Sequence, residues 1–130
     1  MFLPLPRNGS AHAQTASFTV TRTAESTVVA VAGEVDLAVA GRFAALINQE
    51  LRSSPRALLI DATELTFCAA RGLTVLLDAT ADAVIAGVPF AICGRGRPLR
   101  RPIDVLGLNQ ALPLHSSTAD ALAWLAFLPG

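Results

Sequence analysis

A chain of 130 residues with 52% hydrophobic and 15% charged residues is too apolar to be disordered and long enough for one domain with a core. Its ten basic and ten acidic residues balance, so no net field attracts it to nucleic acid or to a membrane. No apolar run approaches the ~20 residues of a membrane-spanning helix, and the 2 cysteines, outside C-x-x-C spacing, provide neither a disulfide framework nor a zinc site. A cytosolic, metal-free domain is expected.

The N-terminal part predicts a tail followed by two strands. Residues 1–15 are rich in small residues and proline without periodicity, which predicts a flexible tail before a domain at 16–130. Alternation over Ser17–Arg22 predicts a half-exposed strand, and the apolar run Thr27–Ala32 predicts a strand covered on both faces. The short Thr23–Ser26 turn between them requires an antiparallel pair.

Helical periodicity follows the second strand. Apolar residues spaced by three and four predict a helix from Ala38 to about Arg52, with Ser53-Ser54-Pro55 ending it. The preceding segment, Gly33 to Asp36, admits two interpretations. It is either a turn in which Gly33 adopts an unusual backbone angle and Asp36 caps the helix, or an acidic binding segment.

The second half continues the alternation. The sequence predicts a strand over Ala57–Asp61, then a short loop, a helix over Gly72–Ile85 that Gly87 terminates, and a strand over Val88–Cys93. A short helix is predicted to begin at Pro102, because a start at Pro98 would enclose Pro102 at a cost of about 3 kcal/mol.

The C-terminal part predicts a short edge strand, Ala111–Leu114, and a last helix, Ala121–Phe127, with Ser117 as its cap. Leu122, Leu125 and Trp124 are expected to face inward. Strands alternating with helices predict an α/β domain with a mixed, mostly parallel sheet of about five strands and about four helices.

Three segments carry a resemblance to a known family: Gly33-Glu-Val-Asp-Leu37, Leu65-Thr-Phe-Cys-Ala-Ala-Arg-Gly-Leu73 and Val105-Leu-Gly-Leu108. In this order the chain resembles a STAS domain of the anti-sigma factor antagonist family over about residues 16–127. The resemblance implies a non-enzymatic module that binds an anti-sigma factor of the histidine-kinase-like ATPase type and thereby releases a sigma factor. It implies no cofactor, nucleic acid or membrane partner, and it leaves the oligomeric state open.

The resemblance also assigns a site. It implies a partner-binding surface of Glu34, Asp36, Cys68, Ala69, Ala70, Arg71 and Gly72. Ala70 stands where the family has its phosphorylated Ser, while Ala69 replaces the preceding Asp and Arg71 the following Ser. A methyl group cannot accept a phosphoryl group, so this switch is expected to be absent. The alternative is a relative that keeps the fold but has lost its partner.

Two cysteines suggest a different switch. Cys68 and Cys93 both follow predicted parallel strands that are neighbours in the family's topology, and strands ~4.8 Å apart would allow a disulfide. Arg71 and a helix N-terminus could lower a thiol pKa. A thiol-regulated antagonist is therefore an alternative, beside the interpretation that both cysteines are small core residues.

A basic loop is the remaining chemical feature. Gly94–Pro98 with Arg100 and Arg101 could receive an anion or an acidic partner, or be a solvated surface loop. This loop lacks the Gly-Lys-Ser/Thr of a P-loop, which argues against nucleotide binding. A small nucleotide-binding or enzymatic α/β domain is kept as a further alternative. His12 and His115 have no nucleophile with an orienting acid in sequence reach.

Overall fold

The computed structural model describes residues 16–128, which form one five-stranded sheet covered by helices. The strands are β1 (Ala16–Arg22), β2 (Thr27–Val35), β3 (Leu58–Cys68), β4 (Phe90–Cys93) and β5 (Leu114–His115). The helices are α1 (Leu37–Arg52), α2 (Ala70–Ala86), α3 (Arg97–Val105) and α4 (Thr118–Phe127). The predicted tail of residues 1–15, with His12, lies outside the described residues.

The sheet has the predicted mixed topology. Its strands are in sequence order, with β1 antiparallel to β2 and every later pair parallel. A two-strand hairpin followed by crossovers through helices produces this arrangement. The predicted α/β fold, with five strands and four helices, is confirmed.

Two unequal cores lie on the faces of the sheet. On one face, α1, α2 and α3 bury large side chains, among them Phe43, Ile47, Leu73 and Ile103. On the other, α4 buries only Ala121 and Leu125 against small strand residues such as Ala91. Covered on both faces, β3 begins with Leu58-Leu59-Ile60 at 0% exposure, as expected of an internal parallel strand.

The start of α3 differs from the prediction. The helix begins at Arg97 and encloses Pro102, which removes one backbone hydrogen bond. Leu99 and Ile103, one turn apart, are 1% and 0% exposed. Burial of each contributes about 1.5–3 kcal/mol, which together offsets the cost of the proline.

Several other boundaries also differ. β3 continues to Cys68 instead of ending at Asp61, because its second half pairs with the end of β2. β4 begins only after Pro89, β5 is Leu114–His115, and α4 begins at Thr118. Ser117 caps α4 as predicted, its Oγ accepting a hydrogen bond from the Asp120 N–H at 3.1 Å. Trp124, expected inside, is 37% exposed.

Among residues 16–128, no helix combines the length and the apolar character needed to cross a bilayer.

Candidate functional site

Two irregularities in the pairing of β2 with β3 build the site. The register shifts between Ala30 and Ala32 and between Gly33 and Glu34, and β3 holds the extra residue each time. Such bulges bend a strand and redirect its side chains. β4 ends with Cys93 opposite Asp61, so the last seven residues of β3 extend past it beside β2 alone.

The rim is the surface at the carboxyl ends of β2 and β3 and the first turns of α1 and α2. It consists of exposed or half-buried residues: Glu34, Asp36, Leu37, Phe67, Ala69, Ala70 and Arg71. The Ala69 N–H donates to the Val35 carbonyl at 2.9 Å, which joins its two halves. Glu34 is the register partner of Phe67, so these side chains are neighbours on one face of the sheet.

Gly33 and Asp36 have the structural roles that the turn interpretation predicts. Gly33 has a φ of 91°, and an Asp36 carboxylate oxygen accepts a hydrogen bond from the Val39 N–H at 3.0 Å as the cap of α1. Gly33, Glu34 and Val35 nevertheless belong to β2, so the segment is an irregular strand end and not a turn. Because Asp36 is engaged, Glu34 is the exposed acid of this segment.

Cys68 and Gly72 lie beneath the rim, contrary to the prediction that they form its contact surface. Both are buried. A Cβ at Gly72 would be 2.7 Å from the Cys68 Sγ and 3.0 Å from the Val35 Cγ1. Glycine is therefore required for α2 to approach the strand ends this closely, and the two residues position Ala69, Ala70 and Arg71.

The first turn of α2 presents small side chains and an unneutralised positive end. Ala69 occupies the cap position with no side-chain hydrogen bond, and the turn holds no acid. Ala70 and Arg71 are both exposed. The next hydroxyl on this helix, that of Thr74, donates to the Ala70 carbonyl at 3.3 Å. The methyl of Ala70 thus lies on the open surface of the rim.

Two apolar residues that the sequence analysis did not assign to the site belong to the rim. Leu37 is 75% exposed at the start of α1, and Phe67 is 49% exposed near the end of β3. Both lie inside the segments that carried the family resemblance, and that placement was the available signal. Apolar side chains flanked by Glu34 and Arg71 are typical of a protein-binding surface.

The structure contradicts the alternative in which Cys68 and Cys93 form a redox pair, and it fits the other interpretation, in which both are small core residues. Both cysteines are free and buried, and they belong to the cores on opposite faces of the sheet. Cys93 is opposite Asp61, seven residues before Cys68. At ~3.3 Å per residue this separation is on the order of 20 Å, whereas a disulfide needs Cα atoms about 4.4–6.8 Å apart.

The thiol environments also oppose the predicted reactivity. Burial raises the pKa of Cys68 to about 11, against the expected lowering by Arg71 and the helix. Burial likewise raises the pKa of Cys93, whose Sγ lies 3.7 Å from the Asp61 Oδ1 and 3.5 Å from the Thr118 Oγ1. Neutral buried thiols are inert, so the thiol-regulated alternative has lost its physical basis.

Two concavities among the described residues lie away from the rim. One of about 400 Å³ lies between α4 and the β1–β2 turn, with Arg56 and Leu122 in its lining. Another of about 470 Å³ lies between the ends of α1 and α2, lined by Asn48 and Asp82 among others. The rim itself is an open surface, which suits a macromolecular partner better than a small substrate.

The remaining candidate side chains are placed separately. His115 packs against Trp124, with ring centroids 4.8 Å apart. Within residues 16–128, no three His, Cys, Asp or Glu side chains come together as a metal site. The predicted basic loop is partly helical, because α3 begins at Arg97. The Arg100 Nε donates to the Gly94 carbonyl at 2.7 Å, and Arg95, Arg97 and Arg101 are exposed.

Comparison with known proteins gives consistent matches. The family model described as Mlab, STAS domain, matches residues 18–115. The anti-sigma-F factor antagonist RsfB of Mycobacterium tuberculosis is 35% identical over 95 residues, which cover 73% of this chain and 77% of RsfB. An anti-sigma factor antagonist from Mycobacterium paratuberculosis superposes with a TM-score of 0.78 at 30% identity, covering 85% of this chain and 94% of that one. SpoIIAA in its unphosphorylated form has the same fold, with a TM-score of 0.71 at 15% identity over 88% of this chain and 100% of its own.

Proposed function

Because the chain belongs to the STAS domain family of anti-sigma factor antagonists, we propose that its rim binds a histidine-kinase-like ATPase anti-sigma factor in the cytosol and frees a sigma factor. In this proposal the protein acts by binding and not as an enzyme. The bound state is not reversed by phosphorylation at position 70. This protein and the sigma factor then compete for the anti-sigma factor, and the outcome depends on the amounts of these three proteins.

The exposed methyl of Ala70 supports the proposal that phosphorylation at position 70 does not reverse binding. Ala70 is the first residue of α2 and is one of the exposed residues of the rim. A serine hydroxyl at this place would be open to a docked kinase, whereas a methyl cannot attack phosphorus. A phosphoserine would add about −1.5 to −2 charge near Glu34, and the chain has the permanent positive charge of Arg71 beside it instead.

The composition of the rim supports the proposal that the rim binds an anti-sigma factor. Leu37 and Phe67 offer apolar contact area, and Glu34 and Arg71 offer charges of both signs. Interfaces commonly combine a small apolar centre with a polar border, and a few such apolar residues dominate the binding energy.

The experiment uses the kinase-like anti-sigma factor encoded in the same genome, mixed with the protein, ATP and Mg²⁺. Intact-mass measurement of the wild-type protein is expected to show no phosphate, and the complex is expected to persist. The variant Ala69→Asp/Ala70→Ser/Arg71→Ser is expected to gain one phosphate and to dissociate. Absence of any complex with the wild type would overturn the proposed binding. A stoichiometric phosphate on wild-type protein, for example at Thr66 or Thr74, would overturn the proposed lack of a switch.

A further inference from the structure

A second charged surface lies outside the rim. Arg95, Arg97 and Arg101, here called the arginine patch, are exposed on the loop before α3 and on α3 itself. The segment 95–101 contains four arginines and no acid, in a chain whose formal net charge is zero. Four of the ten basic residues of the chain therefore lie within seven consecutive positions.

The arginine patch has no internal counter-charge. Among residues 16–128, the one ion pair joins Arg22 to Glu50 at 2.7 Å, at the opposite edge of the sheet. The nearest acid along α3, Asp104, accepts a hydrogen bond from the Asn109 Nδ2 at 2.8 Å instead. Arg100 differs from its neighbours because its guanidinium holds the Gly94 carbonyl at 2.7 Å, which is a structural role.

Helix stability does not account for these arginines. α3 has Gly96 at its cap position, with no side-chain hydrogen bond there, and no acid in its first turn. Positive side chains at this end oppose the helix dipole. The helix is held by the burial of Leu99 and Ile103 and not by its charged residues. Arg95 and Arg97 are therefore unfavourable for the isolated fold, and all three exposed arginines are available to a negatively charged partner.

The arginine patch and the rim lie at the same edge of the sheet. α3 packs against β3, and a Cβ at Gly94 would meet the Leu99 Cδ2 at 2.9 Å and the Ala62 carbonyl oxygen at 3.2 Å. From Ala62, β3 runs to Cys68 at the rim. The stretch of β3 from Ala62 to Cys68 is on the order of 20 Å long, and a standard interface of ~800 Å² per partner can span such a length.

We propose that the arginine patch contacts an acidic face of the same anti-sigma factor that docks on the rim. This inference rests on the proposed function and adds the chemistry of the partner: carboxylate side chains on the same face as the residues that cover Phe67. Guanidinium groups pair with carboxylates through two parallel hydrogen bonds, and exposed charge pairs chiefly accelerate association. The arginine patch therefore governs how fast the complex forms, while the rim governs how long it lasts.

The experiment measures association and dissociation rates with the cognate anti-sigma factor between about 50 and 500 mM NaCl. For Arg95→Gln/Arg97→Gln/Arg101→Gln we expect the association rate at low salt to fall about tenfold and most of its salt dependence to disappear, with a small change in dissociation rate. The matched control is Arg52→Gln/Arg56→Gln, which removes exposed arginines at the opposite edge and is expected to associate like the wild type. Equal melting temperatures of both variants and the wild type establish that each is folded, and the single variant Arg95→Gln repeats the test if the triple variant melts early.

The possible failures are separable. If the wild-type protein forms no complex, the proposed function fails. If the wild type binds and the patch variant associates with unchanged rate and salt dependence, the inference about the arginine patch is overturned while the proposed function stands. Binding of a single-stranded oligonucleotide that is lost in the patch variant, with association unchanged, would overturn it in favour of nucleic acid.

Discussion

The amino edge of the sheet, where the parallel strands begin, and the carboxyl edge, where they end, differ in the contacts that their side chains make. At the amino edge, where β3 begins, Arg22 forms a two-pronged pair with the buried Glu50, at 3.0 and 2.7 Å, and the Thr27 N–H donates to the Ala57 carbonyl at 2.9 Å. At the carboxyl edge, Leu37 and Phe67 are exposed, α2 starts without a side-chain cap, and the arginine patch forms no ion pair within the described residues.

This difference assigns the paired residues of the amino edge to folding and the exposed residues of the carboxyl edge to binding. At the amino edge, the buried Glu50 and the Thr27 N–H have partners within the chain, so a substitution that removes Arg22 from Glu50 should change stability. The carboxyl edge leaves apolar area and charge unsatisfied, and these groups contribute little to folding. Substitutions of the exposed Leu37 and Phe67 and of the arginine patch should therefore change binding of the proposed anti-sigma factor and leave the fold intact.

The largest expected effect is on binding, from the apolar side chains of the rim. Phe67→Ala and Leu37→Ala should each weaken the complex by about 2 kcal/mol or more, roughly 30-fold, because such residues act as interface hot spots. Isothermal titration calorimetry measures this loss. Ile85→Ala, at the far end of α2 and 84% exposed, is the matched control with no expected effect. Arg22→Ala should lower the melting temperature and keep the affinity, and the reverse result would remove the distinction between the edges.

The next largest effect tests how α2 is seated on the strand ends. Gly72→Ala would place a methyl 2.7 Å from the Cys68 Sγ, so it should destabilise the protein by about 1–3 kcal/mol in urea unfolding. Adding Cys68→Ala should restore part of the loss by making room. Gly41→Ala is the control, since a Cβ there meets nothing within 4 Å, and it should stabilise by about 0.5–1 kcal/mol. Equal effects at Gly41 and Gly72 would contradict the close packing described here.

The buried thiol beneath the rim makes stability depend on alkaline pH. The pKa of Cys68 is about 11 in the folded protein, above that of the unfolded chain at roughly 8.5. Below the lower pKa both states keep the proton, and above it the unfolded chain ionises first, so stability falls as pH rises. The free energy of unfolding should drop by about 1–2 kcal/mol between pH 8 and 10 through this residue. Cys68→Ala should remove this part of the slope, and an identical slope in that variant would show that the thiol is not held neutral.

The smallest effect concerns the two helix caps. Asp36→Ala and Ser117→Ala each remove one side-chain hydrogen bond to a helix N-terminus, and each should cost about 1 kcal/mol of stability. Only Asp36→Ala should also weaken binding, because α1 begins with Leu37 of the rim. Thermal unfolding and calorimetric titration of both variants measure the two quantities. Equal losses of affinity would mean that the helix start does not position the rim.

The sequence was sufficient for the order of elements, because apolar periodicity and turn residues identify them locally. It misplaced the start of α3, since the burial of Leu99 and Ile103 depends on the sheet and outweighs the local penalty of Pro102. It ended β3 at Asp61, because the bulges that extend the strand exist only in its pairing with β2. The same extension of β3 explains why Cys68 and Cys93 are not neighbours. The sequence suggests that the two strands end side by side, whereas β3 continues past the end of β4.

The candidate site was only partly predictable. The family resemblance located Glu34, Asp36 and Ala69 to Arg71 in a single region, but it could not separate surface residues from the buried Cys68 and Gly72 beneath them. It placed Leu37 and Phe67 inside the matching segments but did not show that they are exposed, because exposure depends on which helices cover the end of the sheet.

The most direct test of the central claim is the affinity of the wild-type protein for its cognate kinase-like anti-sigma factor, measured by calorimetric titration with ATP and with a non-hydrolysable ATP analogue. A rim that carries a methyl at position 70 should give the same dissociation constant under both conditions. Release of the protein with ATP alone, or no binding under either condition, would contradict the account.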